Sequence, residues 1–449
     1  MSSVDKTTNK VQQQIAVPPN TLRGYLRSVG PGLVVTMSWL GAGDLVDSSV
    51  SGVNYGYSLI WVLVLALVSR YFFTLAIAKY GLCNSVDDPS VISGLAHVWR
   101  HLPAIVGVLA FISGFILQTY MALAVGTALF HLTGGVGGDT WGVFIWTAVT
   151  VVITGVLLFR RSRYRALEIL ARVTVAVLVI AFLTSAIFSS PDAGELVSGL
   201  AFQLPENQGM FSSLLVAAAI IGAVGGSAGN LMYPEFIREK GWNGPAFLKL
   251  QRVDLLVGVL AVIVVNLAVW IVGAEIARSR GMQVEGITDL AAVMQAAVGP
   301  VGPWIFWIGL FFVAFSSFPA YATGYTQILF RGLYESLPAR RQRYGEGSRD
   351  PLFNWLQIGV MVVIPLAFAL PGLPDVLVLT VAGSSTAAIL APVIIVGTLV
   401  LTNNKRLMLP GYTNRWWTNV VLCAVGVVGI WASYGAVKGV IELVAQGMS

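Results

Sequence analysis

Residues 30–57 read GPGLVVTMSWLGAGDLVDSSVSGVNYGY, and this stretch decides how the rest of the chain is read. About 20 apolar residues suffice to cross a hydrocarbon core of ~30 Å. This run is long enough, yet its middle holds Gly41, Gly43, Asp44 and Asp47. An ionised side chain at bilayer depth costs about 2.5–3.5 kcal/mol on insertion scales, so carboxylates there mark a functional site. A second run shares the oddity. Residues 214–236, LLVAAAIIGAVGGSAGNLMYPEF, put Gly222, Gly225, Gly226, Ser227, Gly229 and Asn230 in mid-run. Spaced small residues serve helix packing, whereas a cluster of this kind favours unwinding, and unwound backbone at membrane depth must line a cavity or an ion.

Working outward, eleven apolar runs are long enough to span: 29–54, 57–79, 103–131, 140–160, 167–189, 210–237, 251–277, 300–330, 352–371, 375–401 and 417–445. Turn chemistry separates several of them, including the glycine-rich 134–139, Pro191-Asp192 and Pro371-Gly372. The composition agrees: 56% of the 449 residues are hydrophobic and 11% charged, against roughly 25% charged in soluble domains. The net charge of +6 does not indicate a nucleic-acid partner, because basic residues sit in short segments between apolar runs. Every one of the 27 Lys and Arg residues except Arg278, Arg280 and Lys438 falls on one side if the N-terminus lies inside and Arg70 is counted at the inner end of the second span. The expected protein is therefore multi-pass, with a cytoplasmic N-terminus and an external C-terminus, in a bacterial inner membrane.

The two unusual runs lie five spans apart, which gives them opposite orientations in the membrane. That spacing predicts an all-α integral membrane protein of eleven transmembrane helices, built as a five-plus-five inverted repeat with discontinuous helices 1 and 6. Repeat one is expected over about 29–189, repeat two over about 210–401, and an extra helix over about 417–445. Residues 1–20 are polar, lack an apolar signal-peptide core and are expected to form a disordered cytoplasmic tail, leaving 21–449 as one transporter domain.

Asp44 carries the most chemical weight, and Asp47 follows one helical turn later. Two carboxylates with carbonyls freed by unwinding form a hard oxygen site suited to magnesium, calcium or manganese. Asp44 can also cap the resumed helix, a role compatible with metal binding. Glu235, Asp254, Glu275 and Asp375 fall at span ends, where interfacial solvation accounts for them. His97, His101 and His131 fall in or near loops, so none is placed for a mid-membrane proton relay. No Walker, HExxH or GxSxG motif occurs, so neither ATP use nor an enzyme is indicated. Cys83 and Cys423 are too far apart in sequence to suggest a framework.

At this point the chain resembles the Nramp family of divalent-metal transporters. Residues 30–61 resemble that family's first span without a gap, including Gly30-Pro31-Gly32 and Tyr55-Gly56-Tyr57, and Gly126-Thr127-Ala128 resembles its third. The resemblance implies the LeuT-like fold and also exposes departures. The family's DPGN metal motif is Gly41-Ala42-Gly43-Asp44 here. Its Met-Pro-His in span six has no counterpart: the thioether position is Gly226 or Ser227, and the histidine position is Ala228 or Gly229. The acidic residues of its proton path fall on Tyr120 and Leu123. These substitutions are similar to those of the Nramp-related magnesium transporters, a branch thought to move magnesium and manganese without protons.

Losing a thioether removes a preference for softer metals, and replacing Asp and Met by glycine widens the site for a partly hydrated ion. The leading expectation is a carrier of Mg2+ and Mn2+ working by alternating access without proton coupling. Asp44, Asp47 and the carbonyls of Gly41, Ala223, Val224, Gly226 and Ser227 would supply oxygens, with Gly43, Gly225, Gly229 and Asn230 forming the helix break and cavity. A divalent ion gains about 4.6 kcal/mol per 100 mV of inside-negative potential, enough to drive uptake. The metal is cargo, and no cofactor is expected. The expected partners are divalent cations and the lipid bilayer, with neither nucleic acid nor an obligatory protein partner. The alternatives are a proton-coupled Mn2+/Fe2+ symporter, an amino-acid carrier of the same fold and a non-transporting receptor.

Overall fold

Lipid offers a backbone amide no hydrogen-bond partner, so long apolar runs that enter it must become helices. The computed structural model describes residue 24 and residues 41–86, 88, 90–159, 179–180, 182–345 and 349–447. The elements used below are α1 (Ala42–Tyr55), α2 (Ile60–Cys83), α3 (Leu102–Leu132), α4 (Gly138–Phe159), α5 (Ser213–Ile220), α6 (Tyr233–Glu239), α7 (Leu248–Ile271), α8 (Gly302–Ser336), α9 (Pro351–Ile358), α10 (Val376–Ala387), α11 (Ala391–Asn403) and α12 (Trp416–Gly447). Among the described residues no strand forms, and a single backbone bridge joins Asn84 to Met408.

Nine stretches of the described residues are helical, long and apolar enough to cross a membrane. They coincide with nine of the eleven expected spans. The other two, 29–54 and 167–189, lie partly outside the described residues, as do the expected tail and Gly30-Pro31-Gly32.

α3 and α8 form the most extensive helix pair, and α4, α10 and α12 pack around the same core. Among the described spans α1 is the one buried on all sides: each of its 14 residues is buried. It is lodged against α7, α5 and α10. Glycine permits this depth. A Cβ on Gly52 would lie 2.3 Å from the Trp270 carbonyl oxygen, closer than any side chain tolerates. α1 is therefore an internal element whose polar groups face protein.

Two expectations change here. Arg70, counted above at the inner end of a span, sits near the middle of α2 and is only 4% exposed. Hydropathy averaging hid it, because its neighbours are apolar enough to carry one cation. Asp254, assigned above to interfacial solvation, is 2% exposed and pairs with Lys240 at 3.3 Å. A buried carboxylate needs such a partner. Cys83 and Cys423 are both free thiols, as their separation implies.

A candidate metal site at the helix breaks

The sixth span is discontinuous. α5 runs into a π-helical turn at Ile221–Gly225, Gly226 adopts φ 125° and ψ 124°, and Ser227 is extended before a 3-10 turn at Ala228–Met232 leads into α6. Positive φ at Gly226 is available to glycine and strained for other residues. A Cβ there would also meet the Asn230 amide nitrogen at 2.5 Å. Ser227 Oγ accepts from the Gly229 amide at 3.3 Å and from the Tyr325 hydroxyl at 3.2 Å, which holds the resumed chain in place. The glycine cluster thus produces the break its sequence suggested.

α1 begins where Gly41 leaves helical geometry, at φ −100° and ψ 173°. Asp44 Oδ2 accepts from the Gly41 amide at 2.9 Å, so the carboxylate caps the first turn from its third position. Asp44 thus caps from within the first turn, with Gly41 in the N-cap position, and only one of its oxygens is used. Asp44 Oδ1 and both oxygens of Asp47 are buried and make no hydrogen bond of normal geometry among the described residues, although the Asn266 side chain borders Asp44 and the Ser384 hydroxyl borders Asp47. Buried acceptors are normally satisfied. These three oxygens share one region of α1 and retain acceptor capacity for a cation.

The start of α1 and the broken sixth span meet at Gly43. Its Cβ position lies 2.6 Å from Ser384 Oγ on α10, 2.9 Å from the Tyr120 hydroxyl on α3 and 3.5 Å from Ala223 Cβ. Gly41 faces the Met121 methyl carbon, 3.1 Å from its own Cβ position. Asn266 on α7 accepts from Ser48 at 2.7 Å and borders Asp44. Arg70 is near enough to attract Asp44 electrostatically. It also donates to the Val224 carbonyl at 3.1 Å.

Of the residues singled out in the sequence, Gly41, Gly43, Asp44, Asp47, Tyr120, Ala223 and Val224 thus converge on one region. Val224's carbonyl, expected to face an ion, already accepts one hydrogen bond and keeps one lone pair. Gly226, Ser227, Gly229 and Asn230 lie on the far side of the break, toward Phe73 and Tyr325. Gly225 packs against Ala66 of α2, its Cβ position 3.3 Å from that backbone. Leu123 is buried in the hydrophobic core.

Sequence reasoning missed Arg70, Met121, Asn266 and Ser384. The first and third left a signal, each a lone polar residue within an apolar run. Met121 left none, since methionine is unremarkable in a membrane helix. Among the described residues no three His, Cys, Asp or Glu side chains cluster, so the site rests on two carboxylates and neutral oxygens. His131 is away from this region, stacked on Trp307 at 4.1 Å.

The sequence pattern described as natural resistance-associated macrophage protein-like (Nramp) matches residues 32–437. A protein of Caldanaerobacter subterraneus named divalent metal cation transporter MntH is 22% identical over 400 residues, covering 86% of this chain and 87% of its own. The protein of that name from Bacillus subtilis is 26% identical over 306 residues, 66% and 68% of the two chains. Among solved structures, the manganese transporter of Eremococcus coleocola, in complex with an aromatic bis-isothiourea substituted compound, superposes with a TM-score of 0.71 at 18% identity. It covers 98% of this chain and 92% of that one. MhsT in complex with L-phenylalanine superposes with a TM-score of 0.53 at 13% identity, over 92% of this chain and 98% of that one. These likenesses establish the fold as all-helical and LeuT-like.

Proposed function

The chain belongs to the Nramp family, and we propose on that basis that it carries divalent metal cations across a membrane by alternating access. One observation carries the reading: three buried carboxylate oxygens of Asp44 and Asp47, with no hydrogen bond of normal geometry among the described residues, sit where α1 begins beside the broken sixth span. Oxygens confined in that way suit a small hard dication. Asp44 is the principal ligand in this reading. Asp47 and the carbonyls of Gly41, Ala223 and Val224 supply the remainder, some through retained water.

Manganese is the first cargo to expect, because the solved relative is named a manganese transporter. None of the matched proteins named here is called a magnesium transporter. Magnesium, moved without proton coupling, is a second reading supported by the donor set. The polar groups bordering Asp44, Asp47 and Gly43 are the hydroxyls of Ser384 and Tyr120 and the side-chain amide of Asn266, and Met121 turns its methyl carbon toward Gly41. An amino-acid carrier is disfavoured by the same two carboxylates, which would repel a substrate carboxylate. The five-plus-five repeat boundaries and the N-inside orientation given above belong to this proposal.

Reconstitution in liposomes tests it. Influx of Mn2+, Mg2+ and Ca2+ is followed with metal dyes while an internal pH dye reports protons. Metal influx supports the carrier reading, and acidification in step with it favours the symporter. Magnesium influx at constant internal pH favours the uncoupled carrier. No flux of any of the three ions sinks the proposal.

A further inference from the structure

The end of α2, the start of α7 and the loop leading into α12 enclose a cavity of about 400 Å³. Three cations from three separate elements line it: Lys79 from α2, Arg252 from α7 and Arg415 from the residue preceding α12. No aspartate or glutamate is among its lining residues. Lys79 is held in place by neutral acceptors, donating to the Thr413 carbonyl at 3.2 Å and to Asn414 Oδ1 at 2.9 Å. It is close enough to Arg252 and Arg415 for the three charges to repel one another. Among the described residues no carboxylate forms an ion pair with Arg252 or Arg415.

Three like charges converging on one cavity are costly unless an anion joins them. The rest of the wall shows which kind. Tyr71, Tyr412 and Trp417 line the cavity with apolar Leu75 and Leu248, and the adjacent Trp416 is 77% exposed. Tryptophan and tyrosine concentrate at the level of lipid headgroups. An anion at that depth, beside an apolar wall, is the phosphate of a lipid. Basic pockets between helices at the cytoplasmic surface take such headgroups, and arginine forks match phosphate oxygens.

We propose that the cavity lined by Lys79, Arg252 and Arg415 binds the phosphate headgroup of an anionic bilayer lipid and ties together α2, α7 and α12. Binding neutralises charge that the protein leaves uncompensated and adds a bridge between helices that already pack on α2. The site is separate from the metal region at Asp44 and does not rest on the transport reading.

Native mass spectrometry of the full-length protein from nanodiscs containing equal phosphatidylglycerol and phosphatidylcholine tests this. The wild type should retain phosphatidylglycerol over phosphatidylcholine by about tenfold or more, as expected for several basic contacts. Arg252→Gln with Arg415→Gln should bring that preference to within about twofold, whereas Arg252→Lys with Arg415→Lys should retain most of it. Gel filtration and melting in phosphatidylcholine alone establish that both variants fold. Undiminished preference in the glutamine variant overturns the proposal, as does equal retention of both lipids by the wild type. Displacement of the retained lipid by millimolar inorganic phosphate also overturns it, because the pocket would then be a site for a free anion.

Discussion

The Arg70 guanidinium donates to the Val224 carbonyl at 3.1 Å, binding the middle of α2 to the π-helical turn where the sixth span breaks. The same buried cation acts on Asp44. One side chain therefore holds unwound backbone in place and offsets part of the charge of the buried Asp44 carboxylate. A fixed guanidinium does both, since it stays protonated and presents several donors in a rigid plane.

Replacing Arg70 should consequently cost more than one hydrogen bond. Arg70→Met leaves Asp44 without its neighbouring cation, and losing one partner of a buried charge pair costs about 3–5 kcal/mol. A fall in melting temperature and in monodisperse yield is expected. Arg70→Lys keeps the charge and should recover much of the stability. Unchanged melting of Arg70→Met would show that the carboxylates are compensated elsewhere.

Asp44 caps a helix and is proposed to bind metal, and two substitutions separate these roles. Asp44→Asn keeps an oxygen able to accept from the Gly41 amide, so the fold should survive while metal flux drops by at least about tenfold, the equivalent of ~1.4 kcal/mol. Asp44→Ala loses the cap as well, at a further cost of about 1 kcal/mol in stability. Melting and liposome flux should therefore diverge for the first variant and fall together for the second.

Gly226→Ala forces a side chain onto a residue at φ 125° and toward the Asn230 amide. Adding Asn230→Ala removes the closest steric conflict and leaves a 3.1 Å approach to the Phe73 ring together with the backbone strain, which by itself costs on the order of 1–3 kcal/mol. Both the single and the double variant should melt below their parents. If the double variant matched Asn230→Ala alone, the break would not depend on left-handed backbone.

Acid sensitivity should centre on Asp350, outside the membrane spans. It is 0% exposed, accepts from Arg340 Nε at 2.6 Å and Nη2 at 3.0 Å, and caps α9 through the Leu352 amide. Its hydrogen bonds with Arg340 hold the carboxyl below its usual range. A depressed folded value contributes stability above the unfolded value of about 3.9 and loses it as pH falls through the folded one. Melting temperature should be flat near neutrality on this account and drop below about pH 4. Asp350→Asn should lower the neutral plateau and flatten that acid limb.

The order and kind of the elements were legible in the residues alone. Nine expected spans reappear as helices because a run of about 20 apolar residues has one low-energy form in lipid. The break at Gly226 was legible for a similar local reason, since a glycine cluster weakens a helix wherever it occurs. Asp44 and Asp47 announced themselves as charges at an expensive depth. The company they keep did not. That Tyr120, Ser384 and Ala223 surround Gly43, that Met121 faces Gly41, and that Arg70 reaches Val224 depend on which helix faces meet across the bundle. Hydropathy records how apolar a run is and averages a single cation away. The assignment of partners to buried polar atoms is a through-space problem, and only the packed helices solve it.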